Sequence, residues 1–347
     1  MALGAVGVTP SVGAFTGGAD EWDRAVRSHP GWTHYHLFGW QGILQNVLGH
    51  ECAYLADVGP GGEQLGVLPL VHVRSVLFGH YLMSMPFLNY GGPLGPADSV
   101  GRLVSRALDM ARSTRTRMLE LRSGNALPID LPVSHRKITV LLDLPEGDAD
   151  PLWRKLGSKL RSQIKRPRKA GVEIETGLDQ VDPFYRVFAR HMRDLGTPAL
   201  PRSFFRAIAE TFPGDVRFTC AYYHGQPIAA GAGFRWGDQF ELAWASALVE
   251  HKKLAANMLL YWSLMEQAVA EGVSLFNFGR CTPGSGTHRF KLQWGGREED
   301  LWWYHHPADR ATPSPTDGKY AWGPKIWSRL PVWAATALGP RIVRGIP

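Results

Sequence analysis

The chain contains 347 residues with a formal net charge of +7, and 44% of its residues are hydrophobic. This length exceeds a single ordinary core and predicts two domains of a soluble globular protein. Three cysteines are too few for a disulfide framework, and no Cys/His spacing predicts a metal site.

No segment reaches the roughly 18 apolar residues that would span a bilayer. The N-terminus lacks the basic start of a signal peptide. We therefore expect a cytoplasmic protein.

Two parts of the sequence repeat one order of elements. ECAYLADVGPGGEQLGVLPLV (51–71) and TCAYYHGQPIAAGAGF (219–234) each predict a β-hairpin. A further strand, an amphipathic helix and a short strand carrying Arg122 or Arg280 at its end follow in both parts. This order predicts an α+β fold in which each of two domains packs helices on a mixed sheet.

The repeat divides the chain into an N-terminal domain over 15–150, a C-terminal domain over 151–310 and a tail over 311–347. In the second repeat, the period of two places Phe240, Leu242 and Trp244 on one face of a strand. Gly272 should end the helix that follows.

The positive charge is concentrated at the start of the C-terminal domain. Residues 151–172 hold eight basic and no acidic residues, and the rest of the chain carries a net charge of −1. An apolar stripe predicts a helix over 152–170 that Pro167 ends or kinks. The cations predict either an anionic partner or a solvated helix face. A single basic helix without a recognition motif does not predict DNA binding.

Six short motifs follow one another between residues 20 and 346. They are THYHLFGW (33–40), SMPFLNYGG (84–92), LRSQIKRPRKAGVEI (160–174), ANMLLYW (256–262), FNFGR (276–280) and HRFKLQWGG (288–296). Together they resemble the FemAB-like aminoacyltransferases, which are tandem repeats of the GNAT acetyltransferase fold. Within that family the sequence is most similar to the branch associated with PEP-CTERM/exosortase exopolysaccharide systems. The resemblance implies two tandem GNAT-like domains.

The resemblance also implies a catalytic pair. A Phe-Lys pair after a glycine loop is implicated in stabilising the oxyanion of acyl transfer in this family, and it corresponds to Phe290 and Lys291. The glycines would form a loop that closes over the site. The alternative is that Lys291 caps a helix or pairs with Glu298 or Glu299.

Two residues depart from the branch's usual Phe-Asp-Phe-Gly-Arg-Ser. Asn277 cannot act as a carboxylate base, and Cys281 replaces a hydroxyl group. We expect Asn277 to hydrogen-bond nearby backbone, because residues at strand ends often do so, and it is also a candidate for binding the substrate. Arg280, beside the glycine loop, is a candidate for binding an anionic acceptor.

The acyl donor is predicted from the absence of a glycine-containing phosphate-binding turn. GNAT acetyltransferases hold acetyl-CoA on a glycine-containing turn, whereas the corresponding EHKKLAANM (250–258) has no glycine. Acyl-CoA is therefore less favoured than aminoacyl-tRNA, and no other cofactor is expected. Arg161, Lys165 and Arg168 would contact the tRNA phosphates or the pyrophosphate of an activated acceptor.

The predicted acceptor is an amine of a nucleotide- or lipid-linked envelope glycan, or a small amine. Asn89 and Tyr90 would bind it at a rim of the first sheet, or else belong to a tight turn with core aromatics. His34 and His36, alternating on a strand, would be a base, a metal pair or structural residues.

The tail, with four cations and three tryptophans between 322 and 347, would lie on the inner face of the membrane or pack on the second domain. Pro331 and Pro340 argue against one long helix there. Aminoacyl transfer is thus the first hypothesis for the whole chain. A CoA-dependent N-acyltransferase and a non-catalytic binding module in exopolysaccharide assembly are the alternatives.

Overall fold

The computed structural model describes residues 10–75, 78–308 and 322–346. They form two compact units. The first comprises the described residues up to 135 together with 300–308 and 345–346, and the second comprises 136–299 and 322–344. The predicted boundary at 310/311 lies outside the described residues.

The strands are, in chain order, β1 (Ser11–Ala14), β2 (Glu51–Val58), β3 (Gln64–Ser75), β4 (Gly79–Met83), β5 (Met118–Ser123), β6 (Val133–Ser134), β7 (Ile138–Asp143), β8 (Glu173–Thr176), β9 (Val216–Tyr223), β10 (Gln226–Trp236), β11 (Gln239–Ala247), β12 (Leu275–Cys281), β13 (Arg297–Asp300) and β14 (Trp302–His306). The α-helices are α1 (Ala19–Ser28), α2 (Gly39–Asn46), α3 (Ala97–Ser113), α4 (Asp150–Lys155), α5 (Ser158–Lys169), α6 (Val181–Asp194), α7 (Arg202–Thr211), α8 (Ala256–Ala270), α9 (Gly286–Leu292), α10 (Trp322–Trp327) and α11 (Val332–Val343). None of the described helices is long and apolar enough to cross a bilayer.

The two units repeat one topology, as the sequence predicts. In the first sheet the order is β1-β2-β3-β4-β5-β14-β6, and in the second it is β13-β7-β12-β11-β10-β9-β8. The hairpins β2–β3 and β9–β10 are each followed by a strand, a helix and a parallel strand, so that β4 pairs with β5 and β11 with β12. The α+β fold with two mixed sheets is thereby confirmed.

Helix α3 lies on the first sheet through an apolar stripe. Val100, Leu103, Val104 and Ala107 are buried against strand residues such as Leu68. Their spacing of three and four residues places them on one face of the helix. The amphipathic pattern in the sequence therefore identifies the helix correctly.

The second sheet has helices on both faces. Helices α5 and α8 share a core with Phe240 and Leu242 of β11. On the other face, Phe184 of α6 and Phe205 of α7 pack with their ring centroids 5.0 Å apart. Gly272, with φ +73°, ends α8 as predicted.

Trp244 does not share a face with Phe240 and Leu242, so this part of the strand prediction is wrong. Ala232 pairs with Trp244 and Gly233 with Leu242, which leaves one extra residue in β11. This β-bulge turns the following side chains to the opposite face. The Trp244 ring accordingly contacts Phe205 on the α7 side, at 5.3 Å.

The basic segment forms two helices rather than one over 152–170. The backbone is extended at Leu156 and Gly157, between α4 and α5. Pro167 lies inside α5, two residues before Lys169, so it does not end the helix. The helix ends at Lys169; Gly171, with φ +81°, follows its C-cap, and the Val172 N–H donates to the Pro167 carbonyl.

Each sheet includes a strand that the sequence assigns to the other domain. Strand β7 lies within the predicted N-terminal domain, yet it pairs with β12 in the second unit. Strand β14 lies within the predicted C-terminal domain, yet it pairs with β5 in the first unit. The divisions between units therefore fall at 135/136 and 299/300, not at the predicted 150/151.

Candidate active site

The end of β12 is an irregular turn that exposes two backbone carbonyls to one side chain. The register between β12 and β7 shifts between Asn277 and Arg280. Gly279 has φ +69°, and a Cβ atom there would lie 2.8 Å from the Leu242 carbonyl oxygen. Only glycine fits this turn without strain.

Asn277 holds the turn in place. Its Oδ1 atom accepts hydrogen bonds from the Gly279 N–H at 2.8 Å and from the Thr139 hydroxyl at 2.5 Å. The side chain is buried. The expectation that Asn277 bonds nearby backbone is confirmed, and the structure gives it a supporting role beside the site.

Lys291 reaches this turn from α9. Its ammonium group donates to the Gly279 carbonyl at 2.5 Å and to the Arg280 carbonyl at 2.9 Å. Only 4% of the residue is exposed. These bonds use two of the three N–H donors of the ammonium group.

Lys291 lies on the short helix α9 rather than in the glycine loop itself, and closure of that loop over the site stays a prediction. The chain re-enters a helix at Gly286, and the Ser285 side chain caps it by accepting from the His288 N–H at 3.1 Å. The alternative that Lys291 pairs with Glu298 or Glu299 does not hold among the described residues, because Glu298 pairs with His288 and Glu299 with Arg297. The lysine instead has a fixed position on a short helix.

Burial changes the acidity of Lys291. The loss of hydration is the main reason that the pKa of its ammonium group is lowered to about 8; Cys281 and Glu241 act in the opposite direction, and the charge of Arg280 adds to the lowering. Lys291 is thus still predominantly protonated at pH 7. Its ammonium group is a desolvated cation beside the end of β12.

Glu241 is the acidic residue that the sequence reading missed. It is fully buried and pairs with Asn277 across β11 and β12. The signal was a single acid in the apolar strand QFELAWASAL, on the face opposite Phe240 and Leu242. Its charge raises the pKa of Lys291.

Phe290 orients α9 through packing. Its ring lies edge-on to the Tyr261 ring of α8, with centroids 4.9 Å apart, and 6.4 Å from the Trp294 ring. These contacts hold the helix that carries Lys291 against α8. In the structure Phe290 therefore positions its neighbour.

Two further cations lie near the turn. Arg280 is half-buried, and Lys137 donates to the Thr282 hydroxyl at 2.7 Å. Burial, followed by the charges of Arg280 and Arg136, lowers the pKa of Lys137. Lys137 is distant in sequence, which is why no local motif revealed it.

Burial raises the pKa of the Cys281 thiol, so the thiolate that would act as a nucleophile is disfavoured. Cys281 is buried at the end of β12. The site accordingly offers a positive charge and hydrogen-bond donors to an anionic group rather than an activated thiol.

Comparisons with known proteins concern the fold and the resemblance of the chain. Residues 154–292 match the family model described as an acetyltransferase (GNAT) domain. The UDP-N-acetylmuramoylpentapeptide-lysine N(6)-alanyltransferase of Weissella viridescens is 25% identical over 116 residues, which are 32% of this chain and 34% of that protein. The match thus spans about a third of that relative.

The solved structures show the fold. The crystal structure of FemX has a TM-score of 0.63 at 14% identity and covers 85% of this chain and 97% of that chain. The chain thus resembles the FemAB-like aminoacyltransferases in its fold and in part of its sequence. A tandem GNAT protein from the clavulanic acid biosynthesis pathway has a TM-score of 0.55 at 15% identity, covering 87% of this chain and 99% of that chain.

The basic helix α5 borders an open cavity of about 530 Å³. Arg161 and Lys165 both line it, together with Trp153. The Lys165 ammonium lies 5.5 Å from the centre of the Trp153 ring, a cation–π contact. Two of the three cations predicted to bind phosphate thus line one cavity.

Arg168 lines a neighbouring cavity instead. Its guanidinium forms a salt bridge of 3.2 Å with Glu266 of α8. The carboxylate partly balances this charge. Arg168 therefore lies apart from the cavity that contains Arg161.

Asn89 and Tyr90 belong to the first unit. Both are buried, and the Tyr90 ring stacks on Tyr35 with centroids 6.0 Å apart. The segment around them is a tight turn, with positive φ at Met85 and Phe87. Tyr90 also lines a cavity of about 170 Å³.

The remaining candidates in the first unit are structural. His34 and His36 lie in a buried 3-10 helix rather than alternating on a strand. Arg122 pairs with Glu120 at 2.8 Å in the interior and lies 4.4 Å from the centre of the Trp303 ring. Among the described residues, no group of three His, Cys, Asp or Glu side chains could hold a metal ion.

Proposed function

We propose that this protein is an acyltransferase that transfers an aminoacyl group to an amine, with Lys291 stabilising the oxyanion. The observation that carries the proposal is the position of the Lys291 ammonium group. The ammonium group donates hydrogen bonds to the Gly279 and Arg280 carbonyls, and its third N–H group is left to donate to a reacting oxygen.

The reaction would proceed through a tetrahedral intermediate. The acceptor amine attacks the ester carbonyl of the donor, and the carbonyl oxygen takes the electron pair of the broken π bond. Its negative charge develops near a cation that burial has already desolvated. The intermediate then collapses, the ester oxygen leaves with a proton, and the nitrogen loses one. A fixed donor lowers the barrier because it needs no reorganisation.

We propose aminoacyl-tRNA as the donor. The segment before α8 supports this choice, because Ala255 takes the left-handed conformation, with φ +57°, without being glycine. Side chains therefore line the turn where GNAT proteins bring backbone close to phosphate. The cavity lined by Arg161 and Lys165 supplies cations for nucleic-acid phosphates.

We propose an amine of an envelope precursor as the acceptor. The support comes from the Weissella viridescens relative, whose name describes alanyl transfer to a lysine of UDP-N-acetylmuramoyl pentapeptide. The half-buried Arg280 beside Lys291 would bind an anionic part of such an acceptor. A role in exopolysaccharide assembly at the cytoplasmic face of the membrane stays a prediction from the family branch.

A CoA-dependent N-acyltransferase is the second candidate. The matching family model, an acetyltransferase domain over 154–292, favours it. Isothermal titration of acetyl-CoA into the protein separates the candidates. Micromolar affinity for acetyl-CoA would favour the CoA-dependent enzyme. Heat of binding in a titration with charged tRNA, and none with acetyl-CoA, would favour the first proposal.

The proposal is tested by transfer from charged tRNA pools to nucleotide-linked envelope precursors. Lys291→Met should lower the rate by about 100-fold to 1,000-fold, the usual cost of losing an oxyanion donor. Arg289→Gln removes an exposed cation from the same helix and is the matched control. Equal rates in all three proteins would refute the role of Lys291, and absence of transfer by the wild type would favour a binding module.

A further inference from the structure

Helix α11 buries its small residues. Ala335, Gly339 and Val343 are directed toward the second unit, and α11 packs on α6. A Cβ atom on Gly339 would lie 3.2 Å from the backbone N and O atoms of Ala199. The helix therefore approaches its neighbour closely through a face with little side-chain volume.

The large apolar residues of α11 are directed outward. Trp333 is 75% exposed, Leu338 is 47% exposed and Ile342 is 40% exposed. Ile326 of α10 is 56% exposed. A helix whose only contacts were with the rest of the second unit would bury its large apolar residues and expose its small ones. Several large apolar side chains exposed together mark an interaction surface.

The charged residues of the segment that forms this surface have one sign. Residues 322–346 contain Lys325, Arg329, Arg341 and Arg344 and no acidic residue, and all four cations are exposed. Such a surface complements an anionic partner. Long basic side chains extend toward phosphate while their stems cover apolar surface.

The surface is held in a defined orientation. The Arg193 guanidinium donates to the Leu330 carbonyl at 2.7 Å, just before α11, and is itself paired with Asp194. Helix α11, with 12 residues, is about 18 Å long. A short helix with apolar and basic groups on one side suits the plane between headgroups and acyl chains.

We infer that the outer face of α11, formed by Trp333, Leu338, Arg341, Ile342 and Arg344, is a membrane-surface site. This face binds the headgroup region of a bilayer that contains anionic phospholipid. Trp333, Leu338 and Ile342 enter the boundary of the acyl chains, and the two arginines contact lipid phosphates. The inference does not depend on the proposed transfer reaction, because it concerns lipid alone.

The test is co-sedimentation of the full chain with vesicles, without acyl donor or acceptor. Vesicles of phosphatidylcholine with one quarter phosphatidylglycerol should bind the protein, and pure phosphatidylcholine should bind it at least about tenfold more weakly. The double variant Trp333→Ser/Leu338→Ser should bind the anionic vesicles about tenfold less tightly or worse. Arg341→Gln/Arg344→Gln should show a similar loss that disappears at high salt.

Controls keep the result unambiguous. Val249→Ser changes an apolar residue that is 67% exposed outside α11, and it should bind as the wild type does. Thermal unfolding shows whether each variant is folded, which is expected because the altered side chains are exposed. No binding by the wild type would overturn the inference, as would binding that Trp333→Ser/Leu338→Ser leaves unchanged.

Two other results would also overturn the inference. If Lys165→Gln/Lys169→Gln abolished vesicle binding while the α11 variants did not, the lipid would lie on α5. If the protein formed a dimer that Trp333→Ser/Leu338→Ser dissociated and did not bind vesicles, the face would be an interface with a second copy.

Discussion

At the scale of single residues, Lys291 combines a positive charge with almost complete removal from water. Its ammonium group is compensated by the Gly279 and Arg280 carbonyls, and by the charge of Glu241. A buried charge of this kind is costly to stability. Such a cost is typical of residues retained for chemistry.

This cost has a pH signature. The folded-state pKa of Lys291 lies at about 8, below its ordinary value of 10.5. The unfolded chain therefore binds the proton more tightly between those values, so this group makes stability rise with pH across that window. Relative to Lys291→Met, the wild-type free energy of unfolding should increase by about 3 kcal/mol between pH 8 and pH 10.5. Urea titrations at several pH values measure the difference. A constant difference would contradict the lowered pKa.

Gly279 determines where the two carbonyls point. Gly279→Ala places a Cβ atom 2.8 Å from the Leu242 carbonyl oxygen in a backbone with φ +69°. We expect a loss of about 1–3 kcal/mol in the free energy of unfolding, together with reduced transfer. Gly286→Ala is the control, since its Cβ atom would meet nothing within 4 Å. Equal stability of the two variants would show that the turn tolerates a side chain.

At the scale of elements, the cations of α5 do not all have one environment. Arg161 and Lys165 line the open cavity, whereas Arg168 pairs with Glu266. A phosphate-binding surface would therefore use the cavity side of the helix. The opposite side contributes to packing on α8.

Binding to tRNA should distinguish these positions. Arg161→Gln and Lys165→Gln should each reduce the slope of log affinity against log salt by about 1, as expected for one lost phosphate contact. Lys159→Gln is the matched control, because this exposed lysine of α5 does not line the cavity. Filter binding over a series of salt concentrations measures the slopes. Identical slopes for all variants would place the tRNA elsewhere.

At the scale of the whole molecule, each unit completes its sheet with a strand from beyond the predicted domain boundary. A fragment of residues 136–299 keeps β7 beside β12, and a fragment of residues 151–299 loses it. The longer fragment should unfold cooperatively in urea, and the shorter one should not, because β12 would lose an antiparallel partner. Circular dichroism during the titration measures this. Equal cooperativity would mean that β7 is dispensable.

The repeat was predictable because its signals are local. The hairpins, the stripe of α3 and the helix end at Gly272 each depend on residues that are close in sequence. The exchange of β7 and β14, the contact of Lys137 with Thr282 and the approach of Glu241 to Lys291 depend on pairing over long sequence separations. No local pattern encodes such pairing. The β-bulge before Trp244 is a further case, since one extra residue reverses the faces of a strand.

The central claim is that the Lys291 ammonium group acts on the oxyanion, and single-turnover transfer from pH 6.5 to 9.5 tests it most directly. The protonated form is required, so the ratio of the wild-type rate to the Lys291→Met rate, in which ionisation of the acceptor amine cancels, should be constant below the pKa of about 8 and decrease with rising pH above it. This ratio should be about 100 or more at low pH. A ratio that does not decrease above pH 8, or a variant as fast as the wild type, would contradict the account.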